Sequence, residues 1–411
     1  MRRAFPEAVI IASGGIYDGD DAYDTFKAGA NMVEGYTPYV FYGVGLLRQI
    51  QSVVVKRLDA DGYDSLEHLQ SDAKQGNAVS MGTDPANIYI DPHIHCRDWE
   101  QSYKATIKSV TQTARSQGVV AMVDMPNTQP TITTRALVER RLDTAIKEGC
   151  IEGYYLYIGA TSDPNQIREA VDVINSNPKV LGMKLYAGKS VGELEVSSEE
   201  DQRAIYKTLA EVGYSGVVML HCEKESMFKM DLWDPRKPYT WNIARPPEAE
   251  VESVKDQIKF AKEFNVNAHL HICHISVPES VSVVDSARSQ LSISCGVTPH
   301  HVTLSTDDMK DESGVIYKVN PPIRDPESMK KMRELLKQGK IDFVETDNAP
   351  HSREEKVFNK DKLPAEYMSG ITSLDNYSSF ISGLRKDGFS SEQIRNITYS
   401  NIKKVFPKII E

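Results

Sequence analysis

The sequence predicts an α/β protein whose main body is one TIM (β/α)8 barrel, preceded by an appendage of two βα units. Three observations lead there. From Asn87 onward, eight short apolar runs alternate with amphipathic stretches, the pattern of parallel strands covered on both faces by helices. The most reactive residues fall at the C-terminal ends of those runs, where this fold builds its sites. Composition is ordinary, 40% hydrophobic and 26% charged over 411 residues, enough for one large core or two smaller ones.

The strand candidates are Ile88 to Ile90, Val119 to Asp124, Ile151 to Ile158, Val180 to Leu185, Gly216 to Leu220, Ala268 to Ile272, Leu291 to Cys295 and Ile341 to Glu345. Between them, Gln101 to Gln117, Thr134 to Glu148, Asp163 to Asn175, Glu199 to Val212 and Pro247 to Phe264 carry apolar residues at helical spacing. Ahead of the barrel, residues 7 to 13 read as a buried strand and Gly14-Gly15-Ile16 as a turn into a helix opened by Asp20 or Asp21. Ala30 to Glu34 is a second strand, Gly35 to Pro38 a second turn, and Leu46 to Leu58 a second helix. The run Ser71 to Ala86 is polar, aperiodic and holds Gly and Pro, as a linker does. The expected division is 1–75, a linker 76–86, and the barrel at 87–411.

Acidic residues outnumber basic ones 58 to 48, a net charge of −10, which removes the electrostatic case for nucleic acid or an anionic membrane. The apolar run near the N-terminus breaks at Ser13-Gly14-Gly15, too soon for a membrane span, so a cytoplasmic location is expected. Five cysteines, an odd number without a C-x-x-C pair, argue against a disulfide framework. Cys96, Cys222 and Cys273 each adjoin a candidate ligand histidine; by strand alternation they are expected to face outward as small buried hydrophobes.

The stretch Tyr89-Ile-Asp-Pro-His-Ile-His-Cys-Arg-Asp98 organises the chain. Spaced by two on a strand, His93 and His95 share one face and can aim at one metal ion. Lys184, His221, His274 and Asp347 end other apolar runs. A lone histidine in such a place is more often a satisfied core residue, and a lone buried lysine more often pairs with a carboxylate. Six such residues on strand ends of one barrel point instead to a metal centre. Imidazoles and a carboxylate suit zinc, and bound metal brings the pKa of water down towards about 7, as a neutral-pH hydrolase requires.

His93-Ile-His95-Cys-Arg97, Met125-Pro-Asn127-Thr, Gly182-Met-Lys184-Leu-Tyr, Leu220-His221-Cys-Glu, Cys273-His274-Ile-Ser and Thr346-Asp347-Asn-Ala-Pro-His351 resemble, in the same order, the motif series of dihydroorotases in the metal-dependent amidohydrolase superfamily. The resemblance covers roughly residues 89 to 405. It implies reversible hydrolysis of L-dihydroorotate to N-carbamoyl-L-aspartate in pyrimidine biosynthesis. By position it implies two zinc ions: His93 and His95 on the more buried one, His221 and His274 on the more exposed one, and carbamylated Lys184 bridging them. Asp347 would ligate the buried zinc and serve as general base and acid. Arg97, Asn127 and His351 would hold the substrate carboxylate, to which a guanidinium, an amide and an imidazole can all donate. Partners are the small-molecule substrate and product, with a homodimer or other pyrimidine-pathway enzymes as the protein partners such a family admits.

Three departures stand out. Asn348 follows the aspartate where many members carry histidine, the stretch Tyr186 to Gly192 is only loosely like its relatives, and His269 and His271 crowd His274. His274 is chosen because it carries the His-Ile-Ser motif, while His300 and His301 are read as structural. A hydantoinase or allantoinase type and a catalytically silent scaffold are the competing readings.

Ser13-Gly14-Gly15-Ile16, Ala28-Gly29-Ala30 and Tyr36-Thr37 resemble the C-terminal end of a dihydroorotate dehydrogenase over roughly residues 7 to 75. That implies an FMN-phosphate cradle at Gly14, Gly15, Tyr36 and Thr37, of which this chain holds only the last quarter of a barrel. FMN binding is therefore not expected, and the strand edges need cover from the main domain if the piece is to be ordered. The order of the two pieces suggests a longer bifunctional parent, with Met1 as an internal or truncated start.

Overall fold

The computed structural model describes residues 5, 7–13, 16, 19–34, 45–74, 88–188 and 194–409. It forms two compact units, Met1–Ile88 and Tyr89–Glu411. In the first, strands β1 (Ile11–Ser13) and β2 (Met32–Glu34) pair in parallel. Helices Gly19–Lys27, Gly45–Asp61 and Leu66–Asp72 accompany them. Ile16, Ala22, Tyr23, Phe26, Val54, Leu58 and Leu69 make a small core of their own. The helix Leu66–Asp72, capped by the Ser65 hydroxyl, takes up the start of the run read from sequence as linker. Gly14, Gly15, Tyr36 and Thr37, the expected phosphate cradle, lie outside the described residues.

The second unit is an eight-stranded parallel barrel. Its strands are β3 (Tyr89–Ile94), β4 (Val119–Asp124), β5 (Tyr154–Gly159), β6 (Val180–Ala187), β7 (Val217–Cys222), β8 (His269–Ile272), β9 (Ile293–Val297) and β10 (Phe343–Val344). They pair in sequence order. All eight were legible as apolar runs, with Val119–Asp124 matching to the residue. β10 keeps only two residues, and backbone hydrogen bonds beyond it complete the barrel: Asp347 N donates to His93 O and His95 N donates to Asn348 O, both at 3.0 Å.

Helices begin where side chains can accept the unpaired N–H groups of the first turn. Thr134, Asp163, Ser198 and Asp325 each cap one. The helix expected at Gln101–Gln117 starts only at Ile107, because Thr106 and Ser109 form a reciprocal capping box there. The Asp98 carboxylate, which also bonds Ile107 N, holds the preceding segment as a short 3-10 turn, Trp99–Gln101. Among the described residues no helix is long and apolar enough to cross a membrane.

Candidate active site

The site is assembled at the C-terminal mouth of the barrel. β3 carries His93 inward, and His95 follows on the same side. β10 delivers Asp347 just past its end, so that His93 Nε2 lies 3.2 Å and His95 Nε2 2.8 Å from Asp347 Oδ1. Opposite, His221 Nδ1 stands 3.1 Å from His274 Nε2. The His93 and His274 rings are 5.2 Å apart, linking the two pairs. All five side chains are buried. His274, not His271, reaches His221: His271 stacks flat on Phe343 at 4.3 Å and bonds Ser294. His300 and His301 are tied to Ser373, Thr298 and the Pro321 carbonyl.

Three of these residues are held in unusual backbone conformations. Arg97, His274 and Asp347 have φ of 56°, 36° and 46°, a left-handed region that costs a non-glycine residue about 1–3 kcal/mol. The left-handed turn aims each side chain where strand alternation alone would not. It also corrects the reading of Cys273. That thiol keeps the inward parity of His271, while His274 turns inward by its positive φ. Cys273 Sγ therefore lies inside the barrel, 3.2 Å from Lys184 Nζ, rather than facing the helical layer. All five cysteines are free and buried.

Lys184 ends up fully buried among imidazoles; its Nζ donates a hydrogen bond to the Cys273 thiol. An ammonium in that position raises the electrostatic cost of every protonated neighbour. Burial, then His221, holds His274 well below the ordinary histidine range. Burial likewise lowers His221, and takes His95 down to about 4. Burial would raise Asp347, but His93 and His95 pull it well below the usual carboxylate range. Burial and Lys184 both press His93 downward, and Asp347 at its Nε2 outweighs them and carries it up.

Three of the rings have a partner behind them. His95 Nδ1 is 2.8 Å from Asn127 Oδ1, His93 Nδ1 is 3.4 Å from Glu345 Oε2, and His221 Nε2 is 3.1 Å from Glu223 Oε2, a carboxylate clamped by Arg245. Such partners fix which nitrogen faces the centre. His93, His95 and Asp347 form a group able to hold a cation, and so do His93, Cys273 and Glu345. Glu345 and Glu223 were not singled out from sequence, and Cys273 was expected on the opposite face. Glu345 had a signal there, an acid two residues before Asp347 that follows the apolar pair Phe343-Val344.

Arg97 and Asn127 line the pocket over these groups, with Tyr186, Asn320 and Gly370. His351 sits behind Arg97 rather than in the pocket wall. Its Nε2 is 3.2 Å from Arg97 Nη2 and 3.0 Å from Ser369 O, and its Nδ1 is 3.1 Å from Lys104 Nζ. Asn348 lies in the barrel seam, its Oδ1 accepting from Leu374 N. Of the stretch after Lys184, Gly188 packs so closely that a Cβ would lie 1.9 Å from Glu223 O; residues 189–193 are outside the described set.

Comparison with known proteins agrees with this architecture. A dihydroorotase from Brevibacillus brevis is 31% identical over 316 residues, covering 75% of this chain and 68% of that one. One from Halobacterium salinarum is 28% identical, covering 85% and 77%. Among solved structures, an L-hydantoinase from Arthrobacter aurescens aligns with TM-score 0.66 at 20% identity over 78% of this chain and 70% of that one. A dihydroorotase from Saccharomyces cerevisiae, in complex with 5-fluoroorotic acid, aligns with TM-score 0.63 at 20% identity over 78% and 84%. Residues 1–58 match the dihydroorotate dehydrogenase family. The barrel, its mouth of imidazoles around a carboxylate, and these relatives define a cyclic amidohydrolase. Within that class, the chain belongs to the dihydroorotase family.

Proposed function

We propose that the chain catalyses the reversible, zinc-dependent hydrolysis of L-dihydroorotate to N-carbamoyl-L-aspartate in pyrimidine biosynthesis. The observation that carries this reading is a guanidinium and an amide, Arg97 and Asn127, on the same pocket wall as Asp347 and its imidazoles. A cyclic amide bearing a carboxylate fits that pairing, whereas a plain hydantoin gives the buried Arg97 charge nothing to meet.

The donors suit zinc: imidazoles that burial holds in the neutral form at His95, His221 and His274, the ionised Asp347 carboxylate, and His221 Nδ1 and His274 Nε2 facing each other across the centre. His93, His95 and Asp347 would hold one ion and His221 and His274 the other. Lys184, once it loses a proton and takes up CO₂ as a carbamate, would supply an anionic ligand to both. When bound, the ions supply Lewis acidity for the ring carbonyl and a water acidic enough to ionise near neutral pH. Arg97 binds the substrate carboxylate and sets the ring amide over Asp347. Asp347 takes the proton of the attacking water as its oxygen bonds the carbonyl carbon. It returns that proton to the ring nitrogen as the C–N bond breaks. The reverse sequence closes the ring. Residues 1–75 are read as the end of a dehydrogenase barrel without redox activity of its own; visible flavin absorbance in the purified protein would contradict that.

The test is turnover of L-dihydroorotate by the zinc-loaded protein beside Asp347→Ala, with hydantoin and dihydrouracil as competing substrates. Turnover of dihydroorotate that falls at least roughly 100-fold in the variant, with zinc largely retained, supports the reading. Preference for an uncharged ring, or near-normal activity of the variant, refutes it.

A further inference from the structure

One buried carboxylate has no part in the chemistry above. Glu345 lies two residues before Asp347, and its contacts with His93 and His271 place its carboxylate in the barrel interior. It is fully buried, and no lysine or arginine is paired with it among the described salt bridges. Its Oε1 accepts a hydrogen bond from the backbone N–H of His274. Its Oε2 lies 3.4 Å from His93 Nδ1 and 3.4 Å from His271 Nε2. These three atoms have no hydrogen-bond partner among the described residues. The barrel makes room for the group: a Cβ on Gly296 would lie 2.5 Å from Glu345 Oε1 and 2.9 Å from His271 Nε2.

An isolated carboxylate in an apolar interior is costly, and it persists where donors or cations compensate it. Here two imidazole nitrogens and an amide converge on it. His271 Nδ1 lies 2.8 Å from Ser294 Oγ, so that ring can accept from the hydroxyl and donate from Nε2. For His93, a proton on Nδ1 leaves Nε2 bare, on the side of Asp347 and His95.

We propose that Glu345 is a positioning residue for the metal centre. It holds His93 in the Nδ1–H tautomer, with Nε2 presented to the cation, while its other oxygen fixes the His274 main chain. His271 acts through it as the second donor. This rests on the zinc reading of the site. A carboxylate behind a ligating imidazole strengthens that imidazole as a donor, and its loss typically weakens metal affinity 10- to 100-fold.

The experiment compares wild type, Glu345→Gln and Glu345→Asp as full-length apoproteins titrated with Zn²⁺ against a competing chelator, with bound metal counted and circular dichroism recorded. The expected result is two zinc ions per wild-type chain and a roughly 10- to 100-fold weaker dissociation constant in Glu345→Gln, with Glu345→Asp recovering part of the loss. Equal affinity of Glu345→Gln and wild type overturns the proposal. So does a third ion in wild type that Glu345→Gln loses, since His93, Cys273 and Glu345 would then be ligands themselves. If wild type binds no zinc, it is the zinc reading that fails. Should Glu345→Gln not fold, histidine ¹⁵N NMR of zinc-loaded wild type decides: a His93 ring protonated at Nδ1 supports the assignment, and one protonated at Nε2 overturns it.

Discussion

Replacing Arg141 by methionine tests how the floor beneath the site is held. Asp124 closes β4, and its carboxylate accepts four hydrogen bonds: from Arg141 Nε at 3.0 Å and Nη2 at 2.7 Å, from Tyr154 Oη at 2.6 Å, and from Cys96 N at 2.9 Å. Both charged partners are fully buried. The last bond matters most for function, because Cys96 lies between His95 and Arg97. Arg141→Met removes two of the four bonds and strands a buried anion, which costs about 3–5 kcal/mol. With a urea dependence of about 3 kcal/mol/M, the midpoint falls by roughly 1–1.7 M. Tryptophan fluorescence is the assay, since Trp99, Trp233 and Trp241 are the chain's three tryptophans and all belong to the barrel unit. The double variant Asp124→Leu/Arg141→Met is expected to recover much of the loss, because no charge is then left uncompensated. A single variant within about 1 kcal/mol of wild type, or a double variant worse than both singles summed, refutes the reasoning.

Other expectations follow from the same geometry. Arg97→Lys keeps a charge but loses the planar fork, so KM for dihydroorotate should rise roughly 10- to 100-fold with a smaller change in kcat; steady-state kinetics decide. Gly188→Ala places a methyl against Glu223 O at a φ of 128° and should lower the melting temperature measurably, which differential scanning calorimetry reads. Chelation of the metal should abolish turnover and zinc should restore it, followed by activity and circular dichroism together. Lys318 is brought down to about 7 by burial, then by Arg245 and Lys362. Below pH 7 it is protonated in both states and the burial penalty is in full force. Above pH 7 the folded state sheds its proton before the unfolded state does. Wild type should therefore gain stability on Lys318→Met by up to about 1.4 kcal/mol per unit from pH 7 to 9, as urea titrations at several pH values will show.

The barrel was legible because its strands are covered on both faces and so read as predominantly apolar runs; even the two-residue β10 left one at Phe343-Val344. The residues that the barrel mouth brings together were legible because this fold gathers strand ends there. What escaped were features set by local backbone geometry. Alternation is a rule for extended chain, and the chain is not extended at His274, where the positive φ puts two consecutive side chains inside. Hence Cys273 was placed on the wrong side. Glu345 escapes the strand-end rule because it lies two residues before the end that Asp347 marks. The helix is capped at Thr106 and starts no earlier because the choice between cap acceptors is settled by Asp98, which lies outside the helix.

The seam of the barrel passes through its active centre. The main-chain bonds joining first strand to last are made by His93, His95, Asp347 and Asn348, and the His95–Asp347 side-chain contact spans 252 residues of sequence. A chain still being synthesised thus has no assembled site until its last strand arrives. In the finished protein, whatever cation draws these side chains together also acts as a clasp on the cylinder. Unzipping and loss of the centre are one event, so occupancy of the site and integrity of the barrel should rise and fall together.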